Sequence, residues 1–541
     1  NGTQNIWTGG TATDTTIFAG VQNVSSGAVA SITLINSGGT QNVLSSGTAI
    51  STTVASGGLQ YVYSGGTASN TTVSTSGLMD IETGAVISGT TSVNGGTIVL
   101  VGSGSYAIPA LAAHGGSVQL AYGNTVGRNL TINNLSGSAN FVINTNLATG
   151  TADTITVKNT TGASANTLQV AYDPGFATGQ NVSGSATFAN VTGGATFTAA
   201  ASEYGAYRYT PTITSSGGGG TTTWTVTGLT MGSSGSGASE TVRTDGDVIA
   251  GNMLLWRSEN NNLTKRMGEL RTASGEAGMW LRTYRGAEEV ANGGGRTTKQ
   301  QYTALQGGYD RKISRGEGTL YTGYALGYLE GSNTYNQGTG DATSFSAGVY
   351  GSWLGNKGHF FDVVAKVGRL KNSYTSYLND ANSTKVDGSY QSWGTSLSAE
   401  YGYRKQLKDN WYMEPQAELT YSRINGAGYT TSDGTRINNG AVNSLVGRLG
   451  LTVGRQSGAT HYYGKVSLAR EFSAKARITA ASGGLSPVAY EQDLKENWLE
   501  FALGLTGKLG PRSDGYLELT HTNGDKAKTP WQVNAGVRWN F

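Results

Sequence analysis

Cysteine is absent from the 541 residues. That excludes disulfides, thiolate metal sites and cysteine nucleophiles, and it suits a chain that crosses an oxidising compartment without forming bridges. Histidine is scarce: the four are His114, His359, His461 and His521, and none has metal-ligand spacing or a triad motif around it. No apolar run reaches about 18 residues, so a transmembrane helix is excluded. No signal peptide stands at Asn1, which is flush with a repeat unit; a truncated or processed form is expected. Net charge is only +3, so charge alone implies no nucleic-acid partner. Charge is also unevenly placed. Of 37 basic and 34 acidic residues, only nine precede residue 221: Asp14, Asp80, Glu82, Arg128, Asp153, Lys158, Asp173, Glu203 and Arg208. The boundary is "SSGGGG" and "MGSSGSGAS", a flexible composition.

What the first part has instead is a repeat. "GGTQNVLSSGTAISTTVAS" and "GGLQYVYSGGTASNTTVST" are two of four phased copies. Gln4, Gln22, Gln41 and Gln60 recur at spacings of 18, 19 and 19; Ile6, Val24, Val43 and Val62 keep step, as do Ile17, Ile35, Val54 and Val73. Repeats of about 20 residues indicate a solenoid. Thr/Val/Ile runs broken by Gly-Gly or Ser-Gly are strand and turn signals, and no helix period is present. Each coil should hold two or three short parallel strands, with Val and Ile filling a narrow core. Rows of Asn, Gln, Ser and Thr are expected outside as hydrogen-bonded ladders. This is a parallel β-helix, expected to be right-handed; a disordered segment has no need of phased apolar rows. From 130 to 229 the repeats loosen but stay all-β, and Phe141, Tyr204, Tyr207, Tyr209 and Trp224 appear. They read as the cap that closes a solenoid's open end.

From 275 onward the pattern changes to long alternating segments. Twelve can be placed, near 278–287, 300–311, 318–330, 342–354, 358–371, 391–404, 410–423, 442–455, 459–472, 496–506, 513–522 and 531–541. In "FFDVVAKVGRL" Phe361, Val363, Ala365 and Val367 share one face, with Asp362, Lys366 and Gly368 on the other. An apolar face would meet lipid and a polar face a lumen. The connections alternate. "KISRGEG", "LGNKG", "RKQLKDN", "RQSGA" and "TGKLGPRSD" are short, and long polar ones lie near 288–299, 331–341, 372–390, 424–441 and 473–495. Short periplasmic turns with long outer loops mark an outer-membrane barrel rather than a soluble one. Between the two parts, "ASETVRTDGDVIAGNMLLWRSENNNLTKRMGELR" reads as a helix over 239–267 with Gly268 as its stop. The lumen is the route from an outer passenger to a periplasmic barrel start.

The whole chain resembles the classical monomeric autotransporters of type V secretion. The two quoted repeats resemble passenger repeats of the self-associating, AIDA-type adhesins. "TADTITVKN", "GAYRYTP" and "TTTWTVTGL" are similar to the pertactin-like junction, and "ENNNLTKRMGELR" with "GMWLRTYRG" resembles the linker helix and first barrel strand. The resemblance implies an organisation: β-helix passenger 1–129, junction or autochaperone cap 130–229, linker and luminal helix 230–274, and a 12-stranded translocator barrel 275–541. It implies an outer-membrane anchor that exports and displays a passenger for adhesion, cell–cell aggregation and biofilm formation. A receptor-binding adhesin without self-association, or a carrier for an enzyme outside this chain, are the alternatives. The partners implied are outer-membrane lipid, the barrel-assembly machinery, passengers on neighbouring cells, and a host receptor or glycan.

Three sets of residues are singled out. The closing residues Asn534, Gly536, Trp539 and Phe541 look like the C-terminal signal read by the barrel-assembly machinery. Asn261–Asn262 occupy the positions where some autotransporters cut themselves by cyclisation of an Asn side chain, although Asn260 replaces the family's usual apolar residue. Asp362, Glu400, Glu414 and Glu418 could assist there, or simply line a wet pore with Arg282, Lys366 and Arg448. The third set is a pair of surface rows for self-association: Asn5, Asn23 and Asn42, and Thr16, Thr53 and Thr72. No enzyme, cofactor or metal is expected.

Overall fold

The computed structural model describes residues 2–232, 236–271, 275–293, 295–316 and 318–541. Expectations placed on Asn1, on 233–235 and 272–274 of the linker, and on 294 and 317 of two connections lie outside the described residues. The chain forms two compact units, Asn1–Gly237 with Asn379–Thr384, and Ala238–Leu378 with Lys385–Phe541.

The first unit is a parallel β-solenoid of about seven turns. Strands Thr3–Ile6, Val21–Val24, Thr40–Val43, Leu59–Val62 and Leu78–Glu82 stack in one column. The repeat sets the register, because Gln4 pairs with Gln22, Gln22 with Gln41 and Gln41 with Gln60. Each coil has three corners in the left-handed region: Gly9, Gly27, Ser46, Gly65 and Gly84; Asp14, Ile32, Ser51, Asn70 and Gly89; Ala19, Gly38, Gly57, Ser76 and Gly95. Glycine, Asn, Asp and small residues tolerate that conformation. Ile32 does not share that tolerance, yet holds φ of 53° with its side chain exposed. The coil is therefore three-sided, with Val24, Val43, Val62, Ile35, Val54 and Val73 fully buried inside.

The glutamine row is inside as well, which corrects the expectation that all polar ladders face outward. Gln22 Nε2 donates to Gln4 Oε1 at 2.6 Å, Gln41 to Gln22 at 2.7 Å and Gln60 to Gln41 at 2.8 Å. Thr52 and Thr71 hydroxyls add a second donor to the Gln41 and Gln60 oxygens. An amide buried in a core costs little once its partners are supplied, and the stack supplies them. Met79 and Ile98 continue the same row without polar atoms. At the solenoid's far end the strands Val182–Thr192, Tyr207–Gly218 and Thr221–Met231 turn antiparallel and close the stack. Phe141, Phe188, Phe197 and Trp224 meet edge to face beneath them. Tyr209 stacks on Phe176. Tyr204, expected in this cap, is exposed instead. Four of the nine charges are buried here, Arg128, Asp153, Asp173 and Glu203. Asp153 accepts backbone N–H groups of Gly127, Arg128 and Asn144. The solenoid surface is thus even less charged than its sequence.

In the second unit twelve antiparallel strands close into a barrel: β1 Ala277–Gly293, β2 Arg296–Arg315, β3 Gly318–Tyr335, β4 Gly338–Gly355, β5 His359–Tyr377, β6 Lys385–Tyr403, β7 Trp411–Ile424, β8 Val442–Ser457, β9 Thr460–Glu471, β10 Glu496–Gly510, β11 Ser513–Gly524 and β12 Ala527–Asn540. The ring closes where β1 pairs with β12, Gly278 facing Asn540 and Tyr284 facing Asn534. Exposure is inverted relative to a soluble protein. Leu449, Leu503, Phe345 and Val349 are exposed by 65%, 68%, 60% and 60%, while Arg282, Lys366, Glu414 and Arg448 are buried. That is the alternation a bilayer outside and a polar lumen inside require. The connections expected as long loops near 288–299 and 331–341 are instead strand, because β1 to β4 run on to Gly293, Arg296, Tyr335 and Gly338. Those at 424–441 and 473–495 fold into a small separate sheet from Ala427–Thr430, Arg436–Asn439, Lys475–Ala481 and Val488–Asp493.

The buried glutamine row generates a test. Gln41→Ala should destabilise the solenoid by about 1–3 kcal/mol, because it strands the amides of Gln22 and Gln60. Asn42→Ala, in the half-buried row beside it, should cost about 0.5–1.5 kcal/mol. Urea titration of the refolded chain, followed by proteolysis of the solenoid, would rank the two; equal costs would mean the inner ladder contributes no more than the outer one.

Candidate functional site

The interior of the barrel holds one helix, α1, Glu240–Leu270, of 31 residues, or about 46 Å at 1.5 Å per residue. The sequence places its stop at Gly268, but the helix runs past it to Leu270, with Arg271 as its cap. Glycine there costs about 1 kcal/mol of propensity, and contacts with the wall outweigh that. Gly246 and Gly251, which weaken the helix in isolation, let the small outer sheet and the wall approach closely. A Cβ would lie 2.6 Å from the Tyr490 ring at Gly246 and 2.8 Å from Gln300 Oε1 at Gly251.

The helix leans on the β1–β6 side of the wall. Its seat is made by glycines facing inward from those strands. Trp256 is fully buried, filling the notch left by Gly368 and Gly394, where a Cβ would meet its ring at 2.8 Å and 3.0 Å. Leu263 fits at Gly348 and Leu255 near Gly331. Lys366 lies over the Trp256 ring, 3.6 Å from its centroid, and pairs with Glu259 at 3.1 Å.

Charge fixes the helix along its length. Arg296 reaches Glu240 and Asp247 at the outer end. Arg257 pairs with Glu496, Lys265 with Glu518 and Arg266 with Asp310. Asp310 also receives Arg538 of β12. At the short-turn end Arg271 is held by Asp362 and Glu400, both at 2.8 Å, and by Glu414 at 3.4 Å. Buried ion pairs add little net stability over an apolar pair, but a shifted register would leave charges unpaired at several kcal/mol each. The small outer sheet grips the other end: Tyr429 donates to Asp245 at 2.7 Å, and Asn439 at 3.2 Å.

The three Asn residues point at different partners. Asn260 donates to Ser422 and accepts from Ser396, which explains a polar residue at an otherwise apolar position. Asn262 donates to the Ser258 carbonyl and accepts from Gln532 of β12; its carbonyl accepts from Arg282. Asn261 Oδ1 accepts from Arg448 at 2.9 Å, and its carbonyl accepts from the Thr264 hydroxyl at 2.9 Å. The Thr264 contact polarises the carbonyl that cyclisation attacks, whereas the Arg448 contact draws electrons from the attacking amide and acidifies its N–H, so attack needs a base. A base is the missing element. Among the described residues no acceptor takes the Asn261 Nδ2 hydrogens, and Glu418 and Glu500 are drawn to Arg448. A luminal cavity of about 80 Å³ adjoins, lined in part by Asn261, Glu400, Glu414 and Arg448, which is room for water.

The other singled-out residues lie elsewhere. Asn534 and Gly536 face inward on β12, and a Cβ on Gly536 would sit 2.3 Å from the Tyr516 ring. Trp539 and Phe541 face outward, and the Phe541 amide donates to the Ala277 carbonyl at 2.9 Å. Asn5, Asn23 and Asn42 form a hydrogen-bonded row on the solenoid with 2.8 Å steps. The row passes on to Tyr61 and Asp80. Burial beside these neighbours lifts the Asp80 carboxyl to about 6. Thr16, Thr53 and Thr72 belong to a different side of the coil, and exposed Leu34 stands between the first two. The sequence reading missed the glycine seat. Its signal was there: glycine at lumen parity in consecutive strands.

Filling the seat should unseat the helix. Gly368→Leu would overpack the Trp256 notch, at about 1–3 kcal/mol, and open the lumen. Planar-bilayer recording should show a higher conductance than the parent chain, with a lower thermal midpoint of the barrel; an unchanged conductance would mean the notch does not hold the helix.

Comparison with known proteins divides along the two units. Residues 279–520 match the family described as Autotransporter beta-domain, and residues 89–228 the family described as Pertactin. The Pertactin autotransporter of Bordetella parapertussis is 30% identical over 310 residues, 56% of this chain and 33% of that protein. Serine protease EspC of Escherichia coli is 28% identical over 456 residues, 83% of this chain and 34% of that protein. Among solved structures, the beta domain of the Bordetella autotransporter Brka aligns with 27% identity and a TM-score of 0.41, covering 49% of this chain and all of that one. The chain spans about a third of the length of these two relatives. The barrel region is thus similar to autotransporter β-domains, and the later turns of the solenoid are similar to pertactin.

Proposed function

We propose that the barrel anchors and exports the solenoid, and that the displayed solenoid is an adhesin of the AIDA-type, self-associating kind that drives cell–cell aggregation and biofilm growth. The observation that carries this reading is the solenoid's surface. It is a long stack with few charges and with amide rows repeated from coil to coil. Pertactin among the similar proteins supports a displayed β-solenoid. A second reading is kept because serine protease autotransporters also match: the barrel would then carry an enzyme outside this chain.

The contact is the Asn5–Asn23–Asn42 face, with solenoids from neighbouring cells lying antiparallel. The Thr16, Thr53 and Thr72 row is the weaker candidate, since Leu34 interrupts it. A single neutral hydrogen bond contributes about 0.5–1.5 kcal/mol net; a row repeated in every coil adds them, so weak contacts become avid. Asn23→Asp with Asn42→Asp should abolish sedimentation of expressing cells while export continues, because carboxylates would face each other. The parent should depend only mildly on salt. It should aggregate better at pH 5 than at pH 7.5, since Asp80, lifted to about 6, is neutral on the acid side and charged on the other. Normal sedimentation by the double variant at the surface would rule this face out. A receptor-binding adhesin, or a carrier of an enzyme, would leave parent cells settling no faster than cells bearing the barrel alone. In adhesion, host receptors or glycans are further partners, and assembly uses the Asn534–Gly536–Trp539–Phe541 signal.

The helix is the remnant of export, left in the lumen as a plug. The chain stays continuous through Asn261–Asn262, because no base among the described residues reaches the Asn261 amide. A denaturing gel of outer membranes should give one full-length band. Two bands, the smaller beginning at Asn262, would show that water in the adjoining cavity supplies what the side chains lack.

A further inference from the structure

The lipid-facing wall is not uniform. Near the short-turn end of β7 to β11 two outward rows run across the strands. The upper row is Val453, Gly464, Leu503 and Leu519, each in register with the next. Gly464 leaves a gap in it: a Cβ there would still be 3.4 Å from the nearest atom, on Leu503. The lower row is Trp411, Arg455, Tyr462, Leu505 and Leu517. Together they bound an open apolar groove of about 450 Å³ on the outside of the barrel.

At the mouth of that groove sits a cation. Arg455 is exposed on the outward face between Trp411 and Tyr462, its guanidinium 5.8 Å from the Trp411 ring centroid. Among the described residues it has no acidic partner. The turn before β7 adds Lys405 and Lys408, both exposed, with Asp409 directly after Lys408. It is tied to the rim by the Leu407 amide donating to the Trp411 carbonyl at 2.7 Å. Lys405 is in register with Met413, which has the outward parity of β7. A bare guanidinium at the bilayer surface seeks an anion, and phosphate matches its fork. Tryptophan and tyrosine hold such a site at headgroup depth.

We propose that this sector is a seat for one anionic phospholipid of the inner leaflet, with an acyl chain in the groove at Gly464 and the headgroup phosphate on Arg455, assisted by Lys405. Charge complementarity selects the headgroup, and the short-turn end of the barrel selects the periplasmic leaflet.

The test is native mass spectrometry of the full chain released from nanodiscs of phosphatidylethanolamine and phosphatidylglycerol, with lipopolysaccharide added. The parent should retain one phosphatidylglycerol through release. Arg455→Gln and Gly464→Leu should each lower the retained fraction about tenfold, while both still run as folded, heat-modifiable barrels. Phe345→Ala, on the opposite wall, should retain it as the parent does. Retention of phosphatidylethanolamine to the same extent, retention of lipopolysaccharide instead, or retention of no lipid by the parent would each overturn the proposal. Because the headgroup competition is read on the parent alone, it stands whether or not the variants fold.

Discussion

Every backbone N–H and C=O in a lipid-spanning sheet must find a partner within the protein, and that constraint governs the barrel from end to end. It is met only when β12 returns to β1, so the last residues of the chain complete the first strand. The same closure sets the polarity of each side chain. Apolar residues are pushed outward to lipid, and the charges gather in a lumen where they need partners of their own. The helix supplies them. Arg266, Arg271, Lys265 and Glu259 each meet an opposite charge on the wall, so plug and barrel neutralise one another.

The solenoid satisfies its backbone by a different route. Parallel stacking pairs each coil with the next, and left-handed corners return the chain to the same three sides. Four of its nine charges lie inside, among them Asp153 and Asp173, which accept backbone N–H groups of the loops around them. One unit therefore concentrates charge in its interior, and the other has almost none on its surface.

Much of this was legible in residue order. The 18- and 19-residue phase fixed the coil register, and period-two alternation with alternating loop lengths gave the barrel and its strand count. What was not legible depends on three dimensions. Gln22, Gln41 and Gln60 read as surface residues because glutamine is polar; only the stack reveals that each finds its partner inside. Gly268 read as a helix stop because propensity is local, whereas Arg271 beyond it is held by three carboxylates from distant strands. Gly368 and Gly394 read as ordinary strand glycines until Trp256 occupies the space they leave. The Asn261 surroundings were invisible for the same reason, since Arg448 lies 187 residues away in sequence.

The glutamine ladder also has a bearing on how such a chain can change over generations. Each amide donates toward the preceding coil and accepts from the following one, so any whole coil is interchangeable with its neighbour. Gain or loss of one complete repeat leaves every amide matched, every corner left-handed and every valine inside. A change of one residue at a corner is absorbed, as the 18- and 19-residue steps between the glutamines show, whereas one inside a strand breaks the match with the coils on either side. Tandem sequence of this kind recombines readily in whole repeats, so the length of the solenoid is a quantity that can drift in discrete steps while its surface chemistry stays constant.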